Sequence, residues 1–208
     1  MSGTSHCTGA ILAGGRSTRM GGVSKGLERV QGERMIDRVA VALRVACDEL
    51  IVVSNDELAA EWIPGVPVVR DERPGAGALS GVHAALKHAT LRHAEGAAIV
   101  LAWDSPFVPG TLLRALRETG ERTGADAVVT ESDSPDGFEP LCAWYAPSCR
   151  AAVERRLDAG EFRAAGWQSD VVTRRLDPSP WGDPRVMLFN VNTPDDLRRA
   201  AFFLAAPV

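Results

Sequence analysis

Four short apolar runs, each closed by glycine or polar residues, constrain this chain more than any other feature. They are Cys7 to Ala13 before Gly14-Gly15, Leu50 to Val53 before Ser54-Asn55-Asp56, Pro67 to Arg70 before Asp71, and Ala97 to Ala102 before Asp104. Runs this short and this continuously apolar predict strands buried on both faces. Between them the period changes. Ile36, Val39, Leu43 and Ala46 fall at helical spacing, as do His83, Leu86 and Leu91, and a further helix is expected from about Pro109 to Thr119. Alternating strands and helices imply right-handed crossovers, hence an α/β fold: a mostly parallel central sheet with helices on both faces. In such sheets ligands sit outside the carboxyl ends of the strands. Asn55, Asp71, Asp104 and the Gly14-Gly15 turn all fall where those ends should be.

The second half is less regular. Strands are expected at Ala127 to Val129 and Glu139 to Tyr145, a turn-rich loop from Ser132 to Gly137, a helix from Ala151 to Leu157, and a weak strand at Val171-Val172. Pro74 to Gly81 is expected as a glycine-rich loop entering a helix. Near the end, Thr193 is placed to cap a helix, Pro194 suits its first position, and Asp196 can close a capping box. No internal repeat is found.

After the first strand, Gly14-Gly15 is followed by Arg16, Arg19 and Lys25. Glycines let backbone N–H groups approach phosphate oxygens, and the cations supply the opposite charge, so the loop is expected to hold a polyphosphate. It is not a Walker A loop, because two residues separate Gly22 from Lys25, and it contains no G-x-G-x-x-G. Gly75, Gly77 and Gly81 imitate the latter with the wrong spacing. The formal net charge of −4 argues against nucleic-acid binding through an overall positive field. Cys7, Cys47, Cys142 and Cys149 form no C-x-x-C pair, which predicts reduced thiols and a cytoplasmic location. No apolar stretch reaches spanning length, and Met1 to His6 does not read as a signal peptide.

Asp104, at the end of a buried strand, is a candidate magnesium ligand, since a nucleotide-bound Mg2+ takes one or two protein carboxylates plus phosphate oxygens and water. Asn190 and Asn192 are candidates for a second oxygen ligand, or else cap the last helix. None of the four histidines pairs with an acid or nucleophile in a recognisable pattern; His83 is expected on a helix face. Ser80 and Ser105 lie in no G-x-S-x-G elbow. Arg155, Arg156, Arg174, Arg175, Arg198 and Arg199 are expected on solvated faces.

Taken together, Leu12-Ala13-Gly14-Gly15-Arg16-Ser17-Thr18-Arg19-Met20-Gly21 with Lys25, then Asp71, Gly77-Ala78-Leu79-Ser80-Gly81, Asp104-Ser105-Pro106 and Asn190-Val191-Asn192-Thr193-Pro194, resemble the nucleotidyltransferases of the molybdenum-cofactor type. The resemblance spans nearly the whole chain in the family's order, and within the family it is strongest to the guanylyltransferases. Ser24 and Ser105 depart from the family pattern, and the segment just after Gly160 keeps Glu161 and Arg163 but is otherwise poorly matched.

The resemblance implies a single three-layer, Rossmann-like domain over residues 1–208, with nucleotide-binding elements in about 7–110 and acceptor-binding elements in about 111–208. It implies GMP transfer from GTP to the terminal phosphate of molybdopterin or its molybdenum-bearing form, with release of pyrophosphate and with Mg2+ as cofactor. Lys25, Asp104 and Arg19 would be catalytic. Leu12, Ala13, Gly14, Gly15, Lys25, Asn55, Asp71 and Leu79 would bind the nucleotide. Asp104, Asn190 and Asn192 would hold the metal, and Glu139, Pro140, Asn190 and Asn192 would meet the acceptor. It further implies transient contact with proteins of molybdenum cofactor biosynthesis or with acceptor proteins, and no membrane or nucleic-acid partner. The same residues are compatible with a transferase using CTP or acting on a sugar or alditol phosphate, and with a nucleotide-binding module that has lost catalysis.

Overall fold

In the computed structural model, which describes residues 5–14, 19–20 and 23–203, three of the four apolar runs form the centre of one sheet, and the Pro67 to Arg70 run is corrected to a half-buried strand at its edge. Its strands are β1 (Cys7–Leu12), β2 (Glu49–Val53), β3 (Val68–Val69), β4 (Ala97–Ala102), β5 (Ala127–Glu131), β6 (Phe138–Tyr145) and β7 (Thr173–Leu176). The spatial order is β7-β5-β6-β4-β1-β2-β3. β1 is central and parallel to both β2 and β4, with Gly9 opposite Leu50 on one side and Ile99 on the other. Glycine is required there, because a Cβ at residue 9 would stand 2.7 Å from Leu50 Cδ2.

Successive residues of β1 point to opposite faces and so feed two cores. Cys7 and Ile11 join residues of α1 (Met35–Arg44) and α3 (Gly110–Thr123). Ala10 and Leu12 join residues of α2 (Gly77–Arg92) and α4 (Cys149–Asp158). The result is the expected three-layer arrangement. α1 buries Ile36, Val39 and Leu43 at the helical spacing read from the sequence. α3 ends at Gly124 with φ of 64°, its N–H bonded to Gly120 O, a left-handed stop that suits glycine.

Two further elements differ from expectation, and two more take a form that the sequence left open. The stretch Gly77 to Gly81 is not loop but the first turns of α2, so only residues 74–76 connect. The last strand is Thr173–Leu176 rather than Val171-Val172. It lies at the sheet edge parallel to β5, and its weak apolar signature reflects that single neighbour. Lys25–Leu27 forms one 3-10 turn, after which Arg29–Val30 pairs with Glu33–Arg34 across the Gln31-Gly32 turn. Lastly, β6 runs antiparallel to both β4 and β5, which follows from the tight Ser132 to Gly137 connection. A hairpin-length loop can only join antiparallel strands.

A short helix, α5 (Pro184–Met187), and a final helix, α6 (Pro194–Phe203), complete the described chain. The capping box of α6 forms as expected: Asp196 N–H donates to Thr193 Oγ1 at 3.1 Å, and Thr193 N–H donates to Asp196 Oδ2 at 3.0 Å.

On the face covered by α3, the Trp144 ring rests on bare helix at Gly120, where a Cβ would stand 2.3 Å from Trp144 Cζ3. Gly120→Ala should therefore lower unfolding free energy by about 1–3 kcal/mol, the usual cost of overpacking a core. Urea denaturation checks this, and an unchanged midpoint would contradict the contact.

Candidate active site

The carboxyl ends of β1, β2, β3 and β4 open into a cavity of about 820 Å³, large enough for a nucleotide with part of a second substrate. Leu12, Ala13 and Gly14 line it from β1, Asn55 from β2, Asp71 from β3, and Trp103, Asp104 and Ser105 from β4. Because β6 is antiparallel, it presents its start at this end of the sheet. Glu139 and Pro140 reach the cavity for that reason. The register shifts between Glu139 and Ala143, and Tyr145 Oη donates to the Pro140 carbonyl at 2.8 Å. A proline cannot donate to a ladder, so the irregularity falls where the sequence places one.

Asp104 is the centre of the polar wall. Lys25 donates from Nζ to Asp104 Oδ2 at 2.5 Å and also to Asn192 Oδ1. The lysine is only 4% exposed, so its charge is neutralised by this pair rather than by water. Its backbone is fixed from below: Gly26 lies flat on Trp103, where a Cβ would stand 2.3 Å from Cε3. The Asn190 to Asn192 segment is drawn in by Val191, which is fully buried and donates its N–H to the Asp104 carbonyl at 2.9 Å. Asn190 Oδ1 in turn accepts from the Ser105 hydroxyl at 2.7 Å. Ser105, a departure from the family pattern, thus holds one of the two asparagines.

Across the cavity, Asp71 is held rigidly. Its N–H donates to Asn55 Oδ1 at 3.0 Å, and its Oδ1 accepts from Arg73 N–H at 2.8 Å and from the Ser80 hydroxyl. Ser80 comes from the first turns of α2, so the part expected as loop supplies a support for the Asp71 carboxylate. The other oxygen, Oδ2, takes no part in these bonds.

Most of the expected site residues are thereby brought to one cavity: Leu12, Ala13, Gly14, Asn55, Asp71, Asp104, Glu139, Pro140, Asn190 and Asn192 line it, and Lys25 reaches two of them. Leu79 is a correction. Its side chain is 1% exposed within the core beneath α2, and Gly77, Ala78 and Gly81 line the cavity from that helix instead. Gly15 and the Arg19 side chain lie outside the described residues; the Arg19 backbone pairs with Ser24 in a small antiparallel ladder.

His83 lies on a face of α2 as expected, and that face is buried, with Nε2 3.0 Å from Glu154 Oε1 on α4. That pair joins α2 to α4 and does not line the cavity. Of the arginines expected on solvated faces, Arg156 forms ion pairs with Asp170 and Glu161, both at 2.7 Å. Trp62 and Trp103, whose ring centroids are 5.3 Å apart, line the cavity without having been marked in the sequence. Trp62 sits beyond a 3-10 turn, off any strand end, and carries no pattern that could have singled it out.

Donor chemistry decides whether a divalent ion fits. Asp104 offers a carboxylate, and Asn190 and Asn192 offer amide oxygens, the hard donors that magnesium prefers. The Lys25 ammonium already marks the point where Asp104 and Asn192 share a cation. Among the described residues there is no group of three or more His, Cys, Asp or Glu able to hold a metal. An ion here would therefore take most of its shell from water and ligand, as nucleotide-bound magnesium does.

A mostly parallel sheet whose first strand leads into Gly14 at the cavity, beside a lysine–aspartate pair, has the architecture of a nucleoside-triphosphate transferase domain. The chain belongs to the MobA-like NTP transferase domain family, whose model matches residues 9–171. It is 32% identical to the molybdenum cofactor guanylyltransferase of Desulfosudis oleivorans, covering 93% of each chain. It is 36% identical to the molybdenum cofactor guanylyltransferase of Cereibacter sphaeroides, covering 94% of this chain and 96% of that one. The crystal structure of molybdopterin-guanine dinucleotide biosynthesis protein A from Archaeoglobus fulgidus superposes with a TM-score of 0.77 at 29% identity, covering 95% of this chain and 98% of that one.

Glu139 provides a test of the cavity wall. Burial pushes its carboxyl above the usual range, and Asp136 adds to this while Ser132 opposes it. A raised carboxyl favours the folded state only while protonated, so stability falls as pH rises from the unfolded to the folded pKa. Glu139→Gln should raise Tm at pH 7, and the gain should disappear as pH falls through the carboxylate range. Thermal melts across that range check it; a pH-independent gain would exclude the titration.

Proposed function

We propose that the protein is a molybdenum cofactor guanylyltransferase, which joins GMP from GTP to the terminal phosphate of molybdopterin or its molybdenum-bearing form. The carrying observation is the meeting of Lys25, Asp104 and Asn192 at one end of a cavity whose other wall holds Asp71. One end suits phosphate and a cation, and the other offers a fixed carboxylate to a base.

In the reaction, an acceptor phosphate oxygen forms a bond to the α-phosphorus of GTP as the bond to the bridging oxygen of the β-phosphate breaks, and pyrophosphate leaves. The attacking oxygen is already anionic at neutral pH, so no general base is needed. This agrees with a cavity lining that contains no histidine among the described residues. The work of the chain is positioning and charge neutralisation. Gly14, with Gly15 beyond it, lets the chain lie close to the triphosphate, and Arg19 assists there. Lys25 neutralises phosphate charge, while Leu12, Ala13 and Asn55 border the nucleoside. Asp71 presents Oδ2 to the N1–H and 2-amino group of guanine, a pairing adenine lacks.

A divalent ion, Mg2+ in this reading, would be held by Asp104 with Asn190 or Asn192 and would neutralise the reacting phosphates. Glu139 and Pro140, with the same asparagines, face the acceptor. The acceptor-side elements thus come from residues beyond about 110 and the donor-side elements from before it, within one domain. Protein partners would be the carriers or recipients of the cofactor. No described helix is long and apolar enough to cross a membrane, and four free cysteines accord with a cytoplasmic site of action.

The direct test is pyrophosphate release with molybdopterin as acceptor, run against GTP, CTP, ATP and UTP. GTP-dependent release is expected; release with CTP alone would make it a cytidylyltransferase, and none with any nucleotide would leave a binding module. In the same assay Lys25→Ala should lower kcat by roughly 10²-fold or more, the scale of a lost pre-organised charge. Near-normal turnover would remove Lys25 from the chemistry.

Asp71→Asn should narrow the preference for GTP over ATP by about ten-fold or more, since a hydrogen bond to a charged group contributes about 1.5–3 kcal/mol. Competition between the two nucleotides measures it. An unchanged ratio would place guanine recognition elsewhere.

A further inference from the structure

We propose that Lys25 is a placeholder cation. In the ligand-free protein its ammonium fills the divalent-ion position on Asp104 and Asn192, and it yields that position to the metal only when triphosphate offers it other anions. The inference rests on the assignment of Asp104 as a metal ligand. What it adds is competition between two cations for the same oxygens.

The geometry supports competition rather than a shared site. Lys25 Nζ lies 2.5 Å from Asp104 Oδ2 and bonds also to Asn192 Oδ1. Asn192 has no other side-chain oxygen to offer an ion, and an ion on Asp104 Oδ1 would share one carboxylate with the ammonium already on Oδ2. A magnesium ion and an ammonium both need direct contact with an oxygen they bind, and two cations repel strongly at that spacing. The lysine is 4% exposed and the Asp104 side chain 17% exposed, so neither charge is well screened by water.

The placement is enforced from outside the pair. Gly26 is packed flat on Trp103, and Val191 ties its flanking asparagines to the Asp104 backbone. An ammonium has three N–H donors, and two are used here among the described residues, so the third can turn to an incoming phosphate before the others let go.

Linkage then makes metal and nucleotide binding mutually dependent. Free metal must take from the buried Lys25 the carboxylate that neutralises it, which costs affinity unless another anion takes its place. Triphosphate supplies that anion, so each ligand raises the affinity for the other by the same factor. The device keeps Asp104 neutralised while the cavity is empty, and it disfavours binding of metal without substrate.

The test is Mn2+ binding followed by electron paramagnetic resonance, with and without a non-hydrolysable GTP analogue. Wild-type protein should bind free Mn2+ weakly, and the analogue should tighten binding. Lys25→Met, which keeps the length and removes the charge, should bind free Mn2+ about ten-fold more tightly or better, and should lose most of the coupling to nucleotide. Equal affinity for free Mn2+ in Lys25→Met and wild type would overturn the proposal. Asp104→Asn separates this from the parent assignment. If it binds Mn2+ with nucleotide as wild type does, Asp104 is not the ligand; if it binds more weakly while Lys25→Met gains nothing, only the placeholder fails.

A second readout needs no variant that might misfold. In a 1H–15N spectrum tuned to lysine side chains, wild-type protein should show one slowly exchanging ammonium, and Mg2+ with the analogue should shift it. An ammonium signal unmoved by the pair of ligands would also overturn the proposal.

Discussion

The hydrogen bond from Val191 N–H to the Asp104 carbonyl is the contact on which the site depends. It joins the end of β4 to a segment nearly ninety positions later in sequence, and the buried Val191 side chain packs that junction against Val30, Met35 and Ala200. Flanking residues of an extended segment point the same way as each other and opposite to the one between. Burying Val191 therefore turns both Asn190 and Asn192 toward the strand ends, where they meet Ser105 and Lys25. A polar wall is thus built by an apolar anchor.

The same logic explains how much was legible in the sequence. β1, β2 and β4 are buried on both faces, so their runs read as uninterrupted apolar stretches, and the residues just after them could be placed at one edge of the sheet. Asn55 and Asp104 follow from that, whereas Asp71 follows β3, a half-buried edge strand whose run is short. The Thr193-Pro194-Asp195-Asp196 cap was legible because its hydrogen bonds are local. Pairings that depend on packing between distant elements were not. Nothing in the sequence ties His83 to Glu154, 71 positions away, or turns Leu79 inward while its neighbours Ala78 and Gly81 face the cavity. Glycines misled at residues 77 and 81 because they signal close approach as well as turns. Gly77, the first residue of α2, does take a turn-type left-handed φ of 63° and faces the Phe162 carbonyl, whereas Gly81 lies inside the helix and opens it to the Leu12 side chain.

Strand direction decides what the second half contributes. If β6 ran parallel, its beginning would lie at the amino edge and Glu139 and Pro140 would be far from Asp104. The short Ser132 to Gly137 turn makes it antiparallel, and one change of direction brings a later part of the chain to the edge already occupied by β1 to β4. The proline-bearing irregularity then holds Glu139 at the cavity, where burial raises its carboxyl. Residues from the two halves of the chain can in this way face one another across a single sheet.

Charge balance sets the remaining constraint. A cavity meant for a triphosphate needs cations, yet a carboxylate is also needed to fix a divalent ion, and both must persist when no ligand is present. An uncompensated Asp104 beside this apolar wall would be costly, as would an uncompensated Lys25 at 4% exposure. Pairing them solves both problems at once, and Asn192 adds a neutral acceptor that leaves the net charge of the pair unchanged. The same pairing links the two ligands, because whatever takes Asp104 from Lys25 frees an ammonium for phosphate. A histidine base would add nothing to such a site, since the nucleophile arrives ionised and the chemistry lies in where its charge is met.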